Sequence, residues 1–268
     1  TQSFNLNLSG LSTTLITIND PTATGTINDD DNASVFAKFV AVFESDLVYD
    51  LEVELNAPVE HAFTVDFETF GDENAGLGGT ATAGTDYAAN VSTTFTFPAN
   101  SLAGTIVTIP ITVIDDTIIE PSETIVQILD NISDPTIGIL SPNRTFTIQD
   151  DDSNAANGIS VSDFTVNEAA GTTTFDVSSN IGVQDGFSVD FAITNGSALN
   201  PDDYTVASTT GTLNFVGTVN EIQTVTVTII DDAILEASED LNITLSNITN
   251  VLVAMVDADG VGTITDND

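Results

Sequence analysis

The chain contains no cysteine and no tryptophan, and its 268 residues include only two lysine or arginine residues and one histidine. Without cysteine, neither disulfide bonds nor thiolate metal sites can form. Against the two basic residues stand 41 Asp and Glu, which give a formal net charge of −39. Because nucleic acid and anionic membranes are bound through Lys and Arg, we expect neither as a partner. No apolar run approaches the length of a membrane span, so we also expect no membrane insertion in this segment.

Alternating apolar and polar residues dominate the sequence, and no run of apolar residues at helical spacing is long enough to predict a helix. A strongly negative chain with few aromatic residues can be disordered, but 41% of these residues are hydrophobic. The segment 107–113 alternates strictly, and Pro110 falls on its polar side, which predicts an edge strand or a bulge because proline cannot donate to a ladder. Short alternating runs separated by turn residues predict an all-β fold of tandem antiparallel, immunoglobulin-like β-sandwiches.

An acidic frame, Asp-Asp-x-x-x-Glu-x-x-Glu, occurs twice in the chain. Its copies begin at Asp115 and Asp231, 116 residues apart, and the acidic segments that begin at Asp150 and Asp266 have the same separation. Carboxylates packed this closely repel one another unless a cation lies between them, and Ca²⁺ takes several oxygens per ion. The spacing therefore predicts one repeat at residues 32–152 and a second at 153–268, each with a calcium-binding cluster.

Residues 1–31 match only the last part of a repeat. The segments that start at Phe4 and Gly25 match those that start at Leu241 and Gly262, both with an offset of 237. This pattern predicts the C-terminal hairpin of a third copy, and an isolated two-stranded hairpin is marginally stable in water. Two interpretations stay open. The hairpin belongs to a preceding repeat of a longer array, or it docks onto another subunit by β-strand addition and joins subunits into a fibre.

Several motifs together resemble the Calx-β domain, the repeat found in the regulatory region of sodium–calcium exchangers and in many large secreted bacterial surface proteins. They are a Glu after an early strand (Glu44 and Glu168), the Gly-Thr-Asp-Tyr turn that ends at Tyr87, the acidic frame and the closing acidic triplet. The resemblance covers nearly the whole chain. It implies that these positions converge at one end of each sandwich and hold several Ca²⁺ ions per repeat.

The resemblance also implies a ligand set for each repeat. In the first repeat the set is Glu44, Asp86, Asp115, Asp116, Glu120, Glu123, Asp150, Asp151 and Asp152, with the backbone carbonyl of Ile118. In the second it is Glu168, Asp203, Asp231, Asp232, Glu236, Glu239, Asp266 and Asp268, with the carbonyl of Ile234. Asn267 replaces the middle acid of the second triplet without its charge, which predicts a weaker second site. The hairpin keeps Asp29, Asp30 and Asp31 but has Gln2 at the position of Glu239, so a site there needs an upstream partner.

Calcium fits this donor chemistry better than other metals do. Hard Ca²⁺ takes about six to eight oxygens, and ions that share carboxylates need a cluster of this size. Mg²⁺ keeps more of its water, while Zn²⁺ and copper favour His or Cys, which the frame lacks. The alternative is that these acids cap turns and face solvent, as acids on halophilic proteins do. Their recurrence at fixed repeat positions favours metal binding.

The sequence favours a binding or structural protein over an enzyme. No nucleophile stands beside a base in a recognisable spacing, and the single histidine has no orienting acid. We predict a calcium-stiffened module of an extracellular fibre or adhesin stalk on a bacterial cell surface, whose partners are adjacent repeats or identical subunits. Two alternatives are a calcium-sensing regulatory domain pair and a carbohydrate-binding adhesin module that contacts surface glycans or cells.

Overall fold

The computed structural model describes residues 2–28, 30–38, 41–74 and 76–268. It contains two hydrophobic cores, one built from residues between 35 and 148 and the other from residues between 159 and 264 together with Ile119. The strands around each core form two sheets, so two β-sandwich domains follow the N-terminal hairpin. The predicted all-β class is confirmed. No helix within the described ranges is both long and apolar enough to span a membrane.

The strands are numbered in chain order, and their bounds are as follows. The hairpin consists of β1 (Gln2–Asn7) and β2 (Thr22–Ile27). The first domain contains β3 (Ala33–Ala37), β4 (Ala41–Phe43), β5 (Val48–Leu55), β6 (Phe63–Phe70), β7 (Ser92–Phe97), β8 (Ile106–Thr112), β9 (Ile118–Ile119), β10 (Glu123–Asp130), β11 (Ile137–Ile139) and β12 (Asn143–Gln149). The second domain contains β13 (Gly158–Val161), β14 (Phe164–Asn167), β15 (Thr172–Ser179), β16 (Gly182–Val183), β17 (Phe187–Asn195), β18 (Tyr204–Val206), β19 (Thr210–Phe215), β20 (Ile222–Ile229), β21 (Glu239–Ser246), β22 (Ala254–Asp257) and β23 (Asp259–Thr265). Single 3₁₀ turns span Glu44–Asp46, Asp72–Asn74 and Glu168–Ala170.

Strict alternation sends one face of each strand into a core. Along β6, Phe63, Val65 and Phe67 are buried while the residues between them are partly exposed. The two sheets of the first domain have the strand orders β4-β12-β10-β6-β7 and β11-β3-β5-β8. Pro110 lies on β8, the outer strand of its sheet, as its position on the polar side predicted. Burial of one large apolar side chain contributes about 1.5–3 kcal/mol, so these alternating faces supply most of the driving force for folding.

The first strand of each domain is divided between the two sheets. In the first domain β3 pairs with β5 in one sheet, whereas β4 pairs in parallel with β12 in the other. The second domain repeats this division, with β13 beside β15 and β14 in parallel with β23. Strands β3 and β13 also pair in parallel, with β11 and β22, so every parallel strand pairing inside a domain involves one half of a divided first strand. The division places the ends of β4 and β12 next to each other, and the acidic residues follow from those ends.

A short parallel pairing joins the two domains. Strand β9 of the first repeat pairs with β16 of the second, and the backbone N–H of Gln184 donates to the carbonyl of Ile119 at 3.0 Å. Ile119 is 0% exposed and packs in the core of the second domain, although it stands within the acidic frame of the first repeat. Strand β9 therefore belongs to the first repeat in sequence, but its residue Ile119 belongs to the hydrophobic core of the second domain.

The N-terminal hairpin forms a sheet of its own within the described residues. Strands β1 and β2 pair from Gln2 opposite Ile27 to Asn7 opposite Thr22. Its apolar side chain Phe4 is 58% exposed. The hairpin thus offers an apolar surface and strand edges of the kind that both interpretations of residues 1–31 require.

Candidate metal centres

One carboxylate group lies where β4 and β12 end side by side. Phe43 of β4 stands opposite Gln149 of β12, so the next residues, Glu44 and Asp150, leave the same edge of the sheet. Carboxylate oxygens of Glu44, Asp150 and Asp152 lie within 4.8 Å of one another. Glu44 is only 3% exposed. The parallel pairing therefore gathers acids that are more than 100 residues apart in the sequence.

A second group in the first domain collects Asp86, Glu120 and Glu123, whose carboxylate oxygens also lie within 4.8 Å of one another. Asp86 and Glu123 are buried, with 6% and 8% of their surfaces exposed. The backbone N–H of Glu120 donates to Oδ1 of Asp150 at 3.2 Å. This bond connects the two groups, so they form one continuous acidic site at the end of the sandwich.

The second domain repeats both groups. The parallel pairing of β14 with β23 brings Glu168 beside the acids that follow β23. The groups are Glu168, Asp266 and Asp268, and Asp203, Glu236 and Glu239. Members of both groups line a single small cavity, together with Asp232. The second site is more open than the first, because Asp203 and Glu239 are half-buried where their counterparts in the first domain are buried.

Burial and mutual repulsion make these carboxylates hard to ionise. Burial, reinforced by the charges of Asp150 and Asp152, raises the pKa of Glu44 to about 8. Burial and then the contact with Asp86 raise the pKa of Glu123 to about 8. In the second domain, burial and then Asp203 raise the pKa of Glu239 to about 7. Without a cation each site therefore binds protons at neutral pH, and a cation would displace them.

Three buried oxygen atoms of these sites have no hydrogen-bond partner in the part of the chain that is described: Oε2 of Glu123, Oδ2 of Asp152 and Oδ1 of Asp266. A buried polar atom without a partner costs free energy, and a carboxylate oxygen costs more than a neutral one. Each of these atoms belongs to one of the four carboxylate groups. The donor set consists of oxygen atoms alone, so the residues fit a hard cation such as Ca²⁺.

Two predicted ligands beside the groups hold the turn of each acidic frame. Oδ1 of Asp116 accepts a hydrogen bond from the backbone N–H of Ile118, and Oδ1 of Asp232 accepts one from Ile234, both at 2.7 Å. The charge of Asp116 also helps to raise the pKa of Glu120 to about 7, after the larger effect of burial. Both acids thus adjoin their sites. Their role as ligands, and that of the carbonyls of Ile118 and Ile234, stays a prediction.

Five other predicted ligands are exposed and belong to none of the four groups: Asp30, Asp31, Asp115, Asp151 and Asp231. Asp115 and Asp231 nevertheless lie beside the groups. After the larger effect of burial, the charge of Asp115 is among those that raise the pKa of Asp152, and Asp231 shares the Nδ2 donor of Asn267 with Glu168. Asp151 instead accepts a hydrogen bond from Ser45. Asp29 lies outside the described residues. The role of these acids as ligands stays a prediction.

Asn267 acts in this structure as a hydrogen-bond donor. Its backbone N–H and its Nδ2 both donate to Oε1 of Glu168 at 3.0 Å, and Nδ2 also donates to Oδ1 of Asp231 at 2.9 Å. Its counterpart Asp151 stands outside the carboxylate groups as well. The middle residue of the triplet joins a group in neither domain, and the weaker second site stays a prediction.

One residue that the sequence did not predict reaches the first site from the second domain. Nε2 of Gln184 donates to Oε1 of Glu123 at 3.1 Å. The equivalent residue of the first repeat, 124 positions earlier, is Glu60. Comparison of the two repeats therefore could not predict an amide side chain beside Glu123. Only the pairing of β9 with β16 brings Gln184 next to the acids.

The chain matches one protein-family model and several solved structures. The sequence model of the Calx-beta domain matches the chain twice, at residues 26–153 and 150–268. No curated protein sequence matches it.

The solved structures that are similar to the chain include three Calx crystal structures. CBD12 from CALX1.2 is 16% identical with a TM-score of 0.39, over 87% of this chain and 100% of that one. The calcium binding domain CBD12 of CALX1.1 is 22% identical with a TM-score of 0.39, over 80% of each chain. The apo form of the Calx CBD1 domain is 24% identical with a TM-score of 0.39, over 46% of this chain and 100% of that one.

Proposed function

The chain belongs to the Calx-β domain family, and from this premise we propose that it is a calcium-binding pair of domains. The observation that supports this best is Glu123, a buried acid beside Asp86 and Glu120, one oxygen of which has no hydrogen-bond partner among the described residues. A cation at this place would offset both the repulsion and the unpaired oxygen. The residues proposed to hold the ions are Glu44, Asp86, Glu120, Glu123, Asp150, Asp152, Glu168, Asp203, Glu236, Glu239, Asp266 and Asp268.

We propose further that the ions stiffen the connection between neighbouring domains. The segment 150–152 closes the first acidic site and leads directly into the second domain, while Gln184 contacts Glu123 from the other side. Without Ca²⁺ the acids repel one another and the connection loosens. This behaviour suits a non-catalytic module of a bacterial extracellular fibre or adhesin stalk, with adjacent repeats or identical subunits as its partners. Extracellular modules bind calcium with dissociation constants of about 10⁻⁴–10⁻³ M.

Thermal unfolding in EDTA, in CaCl₂ and in MgCl₂ tests the calcium proposal. A ligand that binds only the native state stabilises it by about 2.7 kcal/mol at a hundred times its dissociation constant. We expect a rise of the melting temperature in CaCl₂ that equal MgCl₂ does not produce. Glu123→Gln should reduce this rise, and Glu60→Gln, which changes an exposed acid outside the groups, should leave it intact. Equal melting temperatures in EDTA and CaCl₂ would mean that the acids bind no calcium.

Small-angle scattering tests the stiffening proposal separately. We expect a narrower distribution of distances between the two domains in CaCl₂ than in EDTA. If calcium raises the melting temperature but the distribution stays unchanged, the chain binds calcium without stiffening, and the stalk proposal loses its physical basis.

A further inference from the structure

One side chain of the first repeat, that of Ile119, is buried in the hydrophobic core of the second domain. Ile119 of the first repeat is 0% exposed because β9 pairs with β16 and inserts this residue into the second core. Its neighbour Ile118 is 37% exposed. The bond from Nε2 of Gln184 to Glu123 extends the same contact to the first acidic site.

The equivalent segment of the second domain is uncovered. Ile234 and Leu235 stand 116 positions after Ile118 and Ile119, in the same acidic frame. They are 60% and 77% exposed, and no strand pairs with them in the described part of the chain. Exposed leucines are common on protein surfaces. What distinguishes Leu235 is that its counterpart is fully buried by a neighbouring domain.

We propose that segment 234–235, together with Glu239, is a docking surface for a further Calx-β domain that presents a segment like the 182–184 segment of this chain. The incoming domain would pair in parallel with segment 234–235, bury Leu235 in its own core and direct a side-chain donor to Glu239. This continues along the chain the interface that β9 and β16 already form. The inference rests on the repeat array of the proposed function, and it does not require that calcium binds.

The chemistry of the acidic site selects which domain can dock. In the first domain the segment 58–60 corresponds to 182–184, because Val59 and Val183 both donate their N–H to a loop carbonyl at 2.9 Å. In the observed interface Gln184 offers an amide donor to Glu123. If the first domain docked at segment 234–235 instead, its equivalent residue Glu60 would place a carboxylate against Glu239. Like charges at this distance repel. The occupant is therefore a domain with a donor at the position of Gln184, and a second copy of the first domain does not fit.

Thiol labelling can test this surface because the chain contains no cysteine. The variant Leu235→Cys is prepared in the chain of residues 1–268 and in a chain extended after Asp268 by a second copy of residues 153–268, which preserves the spacing between the existing domains. We expect labelling in the extended chain to be at least about tenfold slower, since Ile119 is 0% exposed and Leu235 is 77% exposed. Val251→Cys, at a position that is 90% exposed, should react equally fast in both chains.

Two further extensions test the choice of occupant. A copy that carries Gln184→Glu, and an extension by residues 32–152 in place of 153–268, should leave labelling fast. Equal protection by all three extensions would overturn the proposal, as would no protection by any. An unfolded extension would also count against it, because docking is what should complete the core of the added domain. Protection of the unextended chain at high concentration would identify a second copy as the occupant and overturn the proposal too.

All labelling rates are measured in EDTA and in CaCl₂. Protection in both solutions, without any calcium effect on the melting temperature, would support the docking surface while refuting the proposed calcium function. A calcium-dependent melting temperature without protection would do the reverse.

Discussion

Truncation of Ile119 should destabilise the domain that follows it more than the repeat that contains it. Ile119 is 0% exposed and packs with the core of the second domain. Replacement of a fully buried isoleucine by alanine costs about 2–5 kcal/mol, through lost transfer free energy and the cavity left behind. The site lies at an interface that can partly collapse, so we expect Ile119→Ala to cost about 3 kcal/mol. For a domain of this size that loss lowers the melting temperature by roughly 10 °C.

The second domain supplies a matched control at Leu235. It occupies the equivalent position of the repeat but is 77% exposed, so Leu235→Ala should change the free energy of unfolding by less than about 0.5 kcal/mol. Urea unfolding in EDTA gives the cost of each substitution without calcium. Hydrogen exchange of the amides of β20 and β10 then reports on the second and first domains separately. We expect Ile119→Ala to accelerate exchange mainly in β20.

Two results would refute this reasoning. If Ile119→Ala costs no more than Leu235→Ala, the residue is not part of a packed core in solution. If it accelerates exchange in β10 alone, the segment belongs to the first domain energetically as well as in sequence. Either outcome would also remove the basis for a docking surface at segment 234–235.

Three more outcomes are expected at the acidic sites. Gln184→Met removes the amide that donates to Glu123 and adds no charge, so calorimetry should show calcium binding weakened by about tenfold at the first domain only. Burial raises the pKa of Glu44 and Glu123 to about 8, so protons compete with calcium below that pH, and the affinity should increase as the pH is raised from about 6 to about 9. Asn267→Asp removes a donor to Glu168 and adds a charge, which should lower the stability in EDTA by about 1–3 kcal/mol.

Each of these predictions has a contrary result. An equal loss of affinity at both domains would show that Gln184 does not act locally. A calcium affinity that stays constant with pH would mean that the carboxylates are already ionised without the ion. For Asn267→Asp, unchanged stability in EDTA would show that its bonds to Glu168 contribute nothing. The variant Asp151→Asn, at the equivalent and exposed position of the first domain, is the control and should be nearly neutral.

The β-sandwich class was predictable because burial alternates with the strand period, as along β6, and because the whole pattern repeats. The division of the first strand into β3 and β4 was not, since it depends on which sheet each half joins and not on local propensity. That division nevertheless brings Glu44 beside Asp150. Sequence spacing alone could associate the acids within a frame, but it could not bring together residues more than 100 positions apart.

Comparison of the two repeats predicts the site residues that both domains share, but it does not predict a residue that contributes to only one of the sites. Glu123 and Glu239 stand at equivalent positions and both lie in a carboxylate group. Gln184 has Glu60 as its equivalent, so no comparison between the repeats could identify it. Asp151 also shows the limit, because a triplet of identical acids does not reveal which of them face the site and which face solvent.

In the part of the chain that the structure describes, only the first acidic site has a domain packed against it, which makes the two sites unequal. A neighbour that donates a hydrogen bond to Glu123 favours the ionised form of that acid, which is the form that binds a cation. Any gain in calcium affinity from this contact must appear as an equal gain in the docking of the two domains, since coupling between two binding events is reciprocal. An amide donor supplies this hydrogen bond without a charge or a titration of its own. The half-buried Glu239 has no such donor among the described residues, so its affinity for calcium should increase once a further domain docks beside it.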